Sequence, residues 1–242
     1  LNATYTPAFP PAGRVAFASE SGGFGLAVVT AAQRLNLGLS GFVSVGNHAD
    51  VSVLDWLEYW EQDKSTDVIL LYLETIVEPR RFRQIAGRVG RRKPIIVLKG
   101  GRTSAGQSAA CSHTAALATN ETAVDALFTQ CGVIRANTLD EFLALATGLS
   151  AQPMPHGRRV GILTNSGGPG VLCADSCVAE GLNLPQLSDP TQSALASFLP
   201  PTAALSNPVD VIGFATEDQH ARAVETMLTT DALDALIIVH VS

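Results

Sequence analysis

Short apolar runs alternate with stretches of helical period through the first half of the chain. Val15-Ala16-Phe17-Ala18 reads as a strand, and a Gly-rich turn leads from it into an apolar helix from about Phe24 to Leu35. Gly38 falls where a helix C-cap glycine is expected. Phe42–Val45 is a second strand, Ser52–Trp60 a second helix and Val68–Leu73 a third strand. That third run is apolar on both faces, as a central parallel strand covered by helices should be. Pro79 suits the first turn of a basic helix, after which Lys93-Pro94 leads into a strand over Ile95–Leu98. This rhythm predicts an α/β fold with a doubly wound parallel sheet.

The rhythm breaks at a proline-bearing linker, Ala151-Gln152-Pro153-Met154-Pro155-His156-Gly157, and a second unit then repeats the first. Arg14-Val15-Ala16-Phe17-Ala18-Ser19-Glu20-Ser21-Gly22-Gly23-Phe24-Gly25 matches Arg159-Val160-Gly161-Ile162-Leu163-Thr164-Asn165-Ser166-Gly167-Gly168-Pro169-Gly170 without a gap. Asn47-His48-Ala49-Asp50 matches Asn207-Pro208-Val209-Asp210, and Asp67–Leu71 matches Asp234–Ile238. Three matches in one order imply two copies of one fold. The expected domains are 1–152 and 153–242. The second copy stops soon after its third strand, which would leave a sheet edge uncovered. With the abrupt start at Leu1, this reads as a fragment of a longer polypeptide.

Composition narrows the function. Of 242 residues, 46% are hydrophobic and 16% charged, which excludes a disordered chain. A net charge of −6 offers no basic footprint for nucleic acid. No apolar run approaches the roughly 20 residues of a bilayer span. The opening LNATYTPAFPPAG has neither the basic nor the apolar region of a signal peptide, so a cytoplasmic location without membrane association is expected. Cys111, Cys131, Cys173 and Cys177 lack C-x-x-C spacing and read as buried reduced thiols, with no metal site expected.

Each Ser-Gly-Gly-x-Gly follows a strand and opens a helix. Glycines let backbone approach an anion, and the first-turn N–H groups with the helix dipole favour negative charge. One such turn is often purely structural; two could aim both helix starts at one phosphate. Ser112-His113-Thr114-Ala115-Ala116-Leu117-Ala118 follows strand Ile95–Leu98 and the loop Gly100–Gly106. A neutral imidazole there could act as a nucleophile, while a hydrogen-bonded structural histidine is the alternative. Glu74, at the end of the third strand, could hold an imidazole's other nitrogen, or simply be a solvated strand end.

Ser-Glu-Ser-Gly-Gly-Phe-Gly (19–25), Val-Gly-Asn-His-Ala-Asp-Val (45–51), Leu-Tyr-Leu-Glu (71–74), Val-Leu-Lys-Gly-Gly-Arg (97–102), Ser-His-Thr-Ala-Ala-Leu-Ala (112–118), Thr-Asn-Ser-Gly-Gly-Pro-Gly (164–170) and Asn-Pro-Val-Asp (207–210) together resemble nucleoside-diphosphate-forming acyl-CoA synthetases. These are relatives of succinyl-CoA synthetase and ATP-citrate lyase, and the resemblance spans nearly the whole chain. It implies two flavodoxin-like ligase domains, the second truncated, that hold a phosphohistidine between two helix starts. By position His113 would be phosphorylated and Glu74 would orient it. Ser19, Ser21, Gly22 and Gly23 would bind phosphate at one helix start, with Ser166, Gly167 and Gly168 at the other. Ala115 departs from the family's usual Ser-His-Thr-Gly.

The resemblance also implies an acid–thiol ligase converting acid, CoA and ATP to acyl-CoA, ADP and phosphate. CoA, ATP or ADP, and magnesium would serve the full-length protein, none held tightly by this stretch alone, which should be inactive by itself. The expected partners are CoA-binding and ATP-grasp domains in the same chain or another subunit, a small carboxylic acid, and a second copy in a homodimer. Two other readings remain open: a regulatory CoA- or acyl-CoA-sensing module fused to a lysine acetyltransferase, and a flavodoxin-like domain holding a nucleotide.

Three further features read as structural. The basic helix from Pro79 to Lys93 is expected to be a solvated face. Trp56, Tyr59 and Trp60 are expected to pack or to fill an interface. His48 belongs to the Asn-x-x-Asp turn or to a substrate pocket, and His156, His220 and His240 have no assigned partner.

Overall fold

The structure, a computed structural model, describes residues 7, 10–46, 50–103, 105–106 and 120–241. The chain divides into two units, Leu1–Pro153 and Met154–Ser242. Strands β1 (Ala12–Ser19), β2 (Leu39–Ser44), β3 (Val68–Leu73), β4 (Ile95–Lys99) and β5 (Ile134–Ala136) form the first sheet, all parallel, in the order β2-β1-β3-β4-β5. Its described helices are α1 (Gly22–Arg34), α2 (Val53–Gln62), α3 (Pro79–Val89), α4 (Glu121–Cys131) and α5 (Leu139–Ala151). Period-two alternation sorts the strand side chains into two cores. Ala16, Ala18, Ile69, Leu71, Ile95 and Val97 pack under α2, α3 and α4. Val15, Phe17, Val68, Leu70, Ile96 and Leu98 pack under α1 and α5. This is a doubly wound flavodoxin-like sheet, whose direction of winding reverses between β1 and β3, where such sheets bind ligands at the strands' carboxyl ends.

The second unit repeats that plan. Strands β6 (Val160–Thr164), β7 (Val209–Asp210) and β8 (Ala235–Val239) are parallel in the order β7-β6-β8, matching β2-β1-β3. Helix α6 (Gly167–Ala179) covers one face, and α7 (Asp189–Ala196) and α8 (Glu217–Leu228) the other. Equivalent positions make equivalent bonds. Arg14 pairs with Asp67 as Arg159 pairs with Asp234, and the Asp67 and Asp234 N–H groups donate to the Arg14 and Arg159 carbonyls.

Three sequence expectations change. Helix α1 ends at Arg34 with Leu35 as its C-cap, and the left-handed residue beyond it is Asn36 (φ 54°), not Gly38. A methyl on Gly38 would lie 2.6 Å from the Gly13 Cα, and one on Gly13 2.3 Å from the Gly38 Cα. Both are glycines because the backbones touch beside the irregular register between Ala12 and Val15. The match of Asn47–Asp50 to Asn207–Asp210 is not structural. Thr164 pairs with Asp210 as Ser19 pairs with Ser44, so Asp210 corresponds to Ser44, and Asn207 precedes its strand. The Asn207 side chain instead accepts from the Ile162 N–H and donates to the Val160 and Pro185 carbonyls.

The basic helix α3 is not simply a solvated face. Arg81 bonds Asp55 (2.6 Å) and Arg88 bonds Glu61 (2.9 Å), so α3 docks onto acidic residues of α2. Trp56 contacts both Tyr59 and Trp60 on α2; Trp60 is buried and Tyr59 exposed. Cys131, Cys173 and Cys177 are free thiols, and Cys111 lies outside the described residues. Among the described residues no helix is long and apolar enough to cross a membrane.

Candidate functional site

Ser19 ends β1 fully buried, and its hydroxyl donates to the Ser21 carbonyl (2.6 Å) and accepts from the Ser21 N–H. Both hydrogen-bonding capacities are thereby used on shaping the turn. Ser21 is the N-cap of α1, its hydroxyl accepting from the Phe24 N–H (3.3 Å). No acidic side chain occupies the first turn. The glycines divide by cause. A methyl on Gly25 would lie 2.7 Å from the Phe42 ring, so packing requires a glycine there. One on Gly23 would meet nothing within 4 Å. Packing therefore does not explain Gly23.

The second unit reproduces this turn. The Thr164 hydroxyl donates to the Ser166 carbonyl (2.9 Å) and accepts from its N–H, as Ser19 does for Ser21. Gly170 is packed against Thr164 and Gly168 opens on empty space. The copies differ in charge. A methyl on Gly167 would lie 3.3 Å from Asp210 Oδ2, whereas the corresponding position in the first unit is Ser44. Beyond Asp210, Ile212 is held at φ 62°, its N–H donating to Asp210 Oδ1 (2.8 Å). A β-branched residue in that region carries strain.

At the carboxyl edge of the first sheet, the buried Glu20 accepts through Oε2 from the N–H groups of Glu74 (2.5 Å) and Thr75 (3.0 Å). Asn165 does the same for Val241 in the second unit, with Oδ1 accepting from the Val241 N–H (2.8 Å). Glu74 thus has Val241 as its counterpart, and only the first unit carries a carboxylate there. Glu74 Oε2 is buried and has no hydrogen-bond partner among the described residues. A buried carboxylate oxygen left unbonded is costly and points to a donor that completes it.

Around Glu74 the packing is close. A methyl on Gly100 would stand 2.8 Å from the Tyr72 hydroxyl and 3.6 Å from Glu74 Cγ, so any side chain there would displace the Tyr72 hydroxyl. Burial, then the charges of Glu74 and Glu20, push the Tyr72 phenol up to about 12. Its ring stacks on Phe24 in the first turn of α1, centroids 4.1 Å apart. Lys99 is buried at the end of β4, with Nζ donating to the Gly100 carbonyl (2.5 Å) and 4.0 Å from Glu121. Burial holds the Lys99 ammonium below its usual range, against the attraction of Glu121 and Glu20.

The structure therefore brings Ser19, Ser21, Gly23 and Glu74 to one edge, and gives Ser166, Gly167 and Gly168 an equivalent turn in the second unit. His113, its neighbours 107–119, and His48 lie outside the described residues. Sequence reasoning missed Glu20, Tyr72, Lys99 and Thr164. Each lies inside a quoted motif, yet what it bonds depends on register across the sheet. Among the described residues no group of three acidic, His or Cys side chains could hold a metal. His220 and His240 form an edge-on pair 5.6 Å apart, away from a third ligand.

The family model described as succinyl-CoA ligase like flavodoxin domain matches residues 12–149, and the ligase-CoA domain matches 160–241. The chain belongs to the succinyl-CoA-ligase-like family. Within that family it is 43% identical over 239 residues to the alpha subunit of an ADP-forming acetate–CoA ligase II of Pyrococcus furiosus, covering 99% of this chain and 52% of the relative. It is 44% identical to an ADP-forming acetate–CoA ligase of Methanocaldococcus jannaschii, over 90% of this chain and 31% of that protein. The dinucleotide-forming acetyl-coenzyme A synthetase 1 of Ca. Korarchaeum cryptofilum, solved with phosphate and ADP, superposes with a TM-score of 0.93 at 37% identity. That match covers 99% of this chain and 52% of the solved one. The chain thus spans about half or less of these succinyl-CoA-ligase-like relatives.

Proposed function

We propose that this chain is the phosphotransfer core of an ADP-forming acyl-CoA synthetase, with His113 the residue that carries phosphate. The buried, unbonded Glu74 Oε2 carries this reading, since it offers an acceptor at the carboxyl edge beside the end of β4, from which the chain runs on to His113. An acceptor there fixes which imidazole nitrogen bears the proton and leaves the other as nucleophile. The helix start at Ser21-Gly22-Gly23 supplies N–H groups for the phosphoryl oxygens, and Ser166-Gly167-Gly168 is the second such start. Ser19 and Thr164 act beneath these turns and hold their shape.

In the direction of nucleotide synthesis, an acyl phosphate passes its phosphoryl group to the imidazole, with the P–O bond to the carboxylate breaking and a P–N bond forming. The phosphohistidine then gives the group to ADP, which leaves as ATP. A covalent carrier lets thioester and nucleotide chemistry proceed at separate places. The N–H groups of the Gly-rich helix starts fit a phosphoryl group; CoA, nucleotide and magnesium are assigned to the regions its relatives have beyond this span. A small carboxylic acid, such as the acetate in the relatives' names, is the substrate class. The expected domain 1–152 is the phosphohistidine domain, and 153–242 is part of the second ligase domain.

The test is acid-labile phosphate on the full-length protein after incubation with magnesium and ATP, beside a His113→Asn variant. Label in the parent that vanishes in the variant is expected. Folded, nucleotide-binding protein without label in either would overturn the reading and favour acyl-CoA sensing without turnover.

A further inference from the structure

Burying a lysine is expensive unless its charge is put to use. Strand β4 is otherwise Ile95-Ile96-Val97-Leu98, all buried, and an aliphatic residue at its last position would extend the same core. Instead Lys99 is there, with a side chain 2% exposed. One of its N–H groups bonds the Gly100 carbonyl, and its ammonium stands 4.0 Å from Glu121 Oε1. That oxygen is itself buried and has no hydrogen-bond partner among the described residues. Glu121 is the first residue of α4, and its other oxygen takes Arg135 of β5 at 2.5 Å. Arg135, 13% exposed, also pairs with Asp125, one turn further along α4.

These three charges join three elements at one point: the end of β4, the start of α4 and the body of β5. Lys99 and Glu121 also bracket, in sequence, the stretch that contains His113. We propose that the buried Lys99 and the half-buried Glu121 and Arg135 form a charged clasp that fixes the distance between the two ends of that stretch, making Lys99 a positioning residue for the phosphohistidine step. The proposal rests on the phosphohistidine reading above. A nucleophile held at both ends spends less of its encounter with substrate in unproductive geometry, and a displacement of about 1 Å can cost on the order of a hundredfold in rate. Lys99 acts through Glu121, so its removal slows the chemical step and leaves the sites for acid, CoA and nucleotide intact.

The experiment compares the full-length protein with Lys99→Met, Glu121→Gln, the double variant, Lys99→Arg and His113→Asn. Lys99→Met is expected to lower kcat and the rate of His113 phosphorylation by about tenfold or more, with each KM within about twofold. The double variant should be no slower than the worse single variant, because both changes open one clasp. Lys99→Arg should recover part of the rate. Unchanged kcat in Lys99→Met, losses that multiply in the double variant, or kcat, KM and Tm worsening together would each overturn the clasp. Retained turnover in His113→Asn would instead sink the phosphohistidine reading, and the clasp with it. Label lost in His113→Asn while Lys99→Met stays at full rate would remove the clasp alone.

Discussion

Glu74 shows how one side chain separates two otherwise repeated turns. The backbone of both copies is tied in the same way, by Glu20 to Glu74 and by Asn165 to Val241, so the fold requires only the N–H at that position. The carboxylate is an addition, and its buried Oε2 is left for another group. If that group is the His113 imidazole, Glu74→Gln replaces a carboxylate, which only accepts, by an amide whose NH2 group can face the ring as a donor, and disturbs the tautomer. The full-length variant should lose about a hundredfold or more in kcat with KM nearly unchanged. Phosphate on His113, followed over time in rapid-quench samples, checks it. A variant labelled at the parent's rate would show that Glu74 serves the fold and not the imidazole.

At the scale of the element, helix α2 shows a local sequence signal realised in full. Ser52 and Asp55 form a capping box, with Asp55 Oδ2 accepting from the Ser52 N–H (2.8 Å) and the Ser52 hydroxyl accepting from the Asp55 N–H. The Ser52 hydroxyl and backbone, with Arg81, hold the Asp55 carboxyl down at about 2. A depressed carboxyl stabilises the fold above its unfolded value of 3.8, and that contribution is lost as pH falls through about 2. Ser52→Ala should therefore cost about 1 kcal/mol at neutral pH and weaken the pH dependence of stability across that window. Urea midpoints at pH 6, 4, 3 and 2 test both; parallel curves for parent and variant would contradict the assignment. Gly38 is the contrasting case. Its place after an apolar helix reads as a cap, yet its reason is contact with Gly13, which no local pattern contains.

At the scale of the molecule, two sheets of the same opening order carry two Gly-rich helix starts, and this span is about half of the Pyrococcus alpha subunit it resembles. On the proposed function the 242-residue chain alone should form no acyl-CoA from acid, ATP and CoA. The full-length protein, with any second subunit, should form it. Chromatographic detection of acyl-CoA in both preparations decides, and product from the isolated span would mean that nucleotide and CoA are handled within it.

The doubly wound sheet, the two copies and the Gly turns were legible in the residues, because strand runs, helix period and turn glycines are written within a few consecutive positions. The recurrence of Arg14 and Asp67 as Arg159 and Asp234 was visible in both copies, but that each arginine pairs with its aspartate came only from the structure. The basic residues of α3 were visible, but not that α2 receives them. Tertiary structure alone decided which turn residue is spent on the fold and which is left open: Ser19 closed on Ser21, Gly25 filled by Phe42, Gly23 facing empty space. It also decided that Lys99, Glu121 and Arg135 meet, and that Asp210 answers to Ser44 and not to Asp50. The physical reason is range: propensity and periodicity act between neighbours in sequence, whereas burial and the pairing of charges depend on register between strands far apart in the chain.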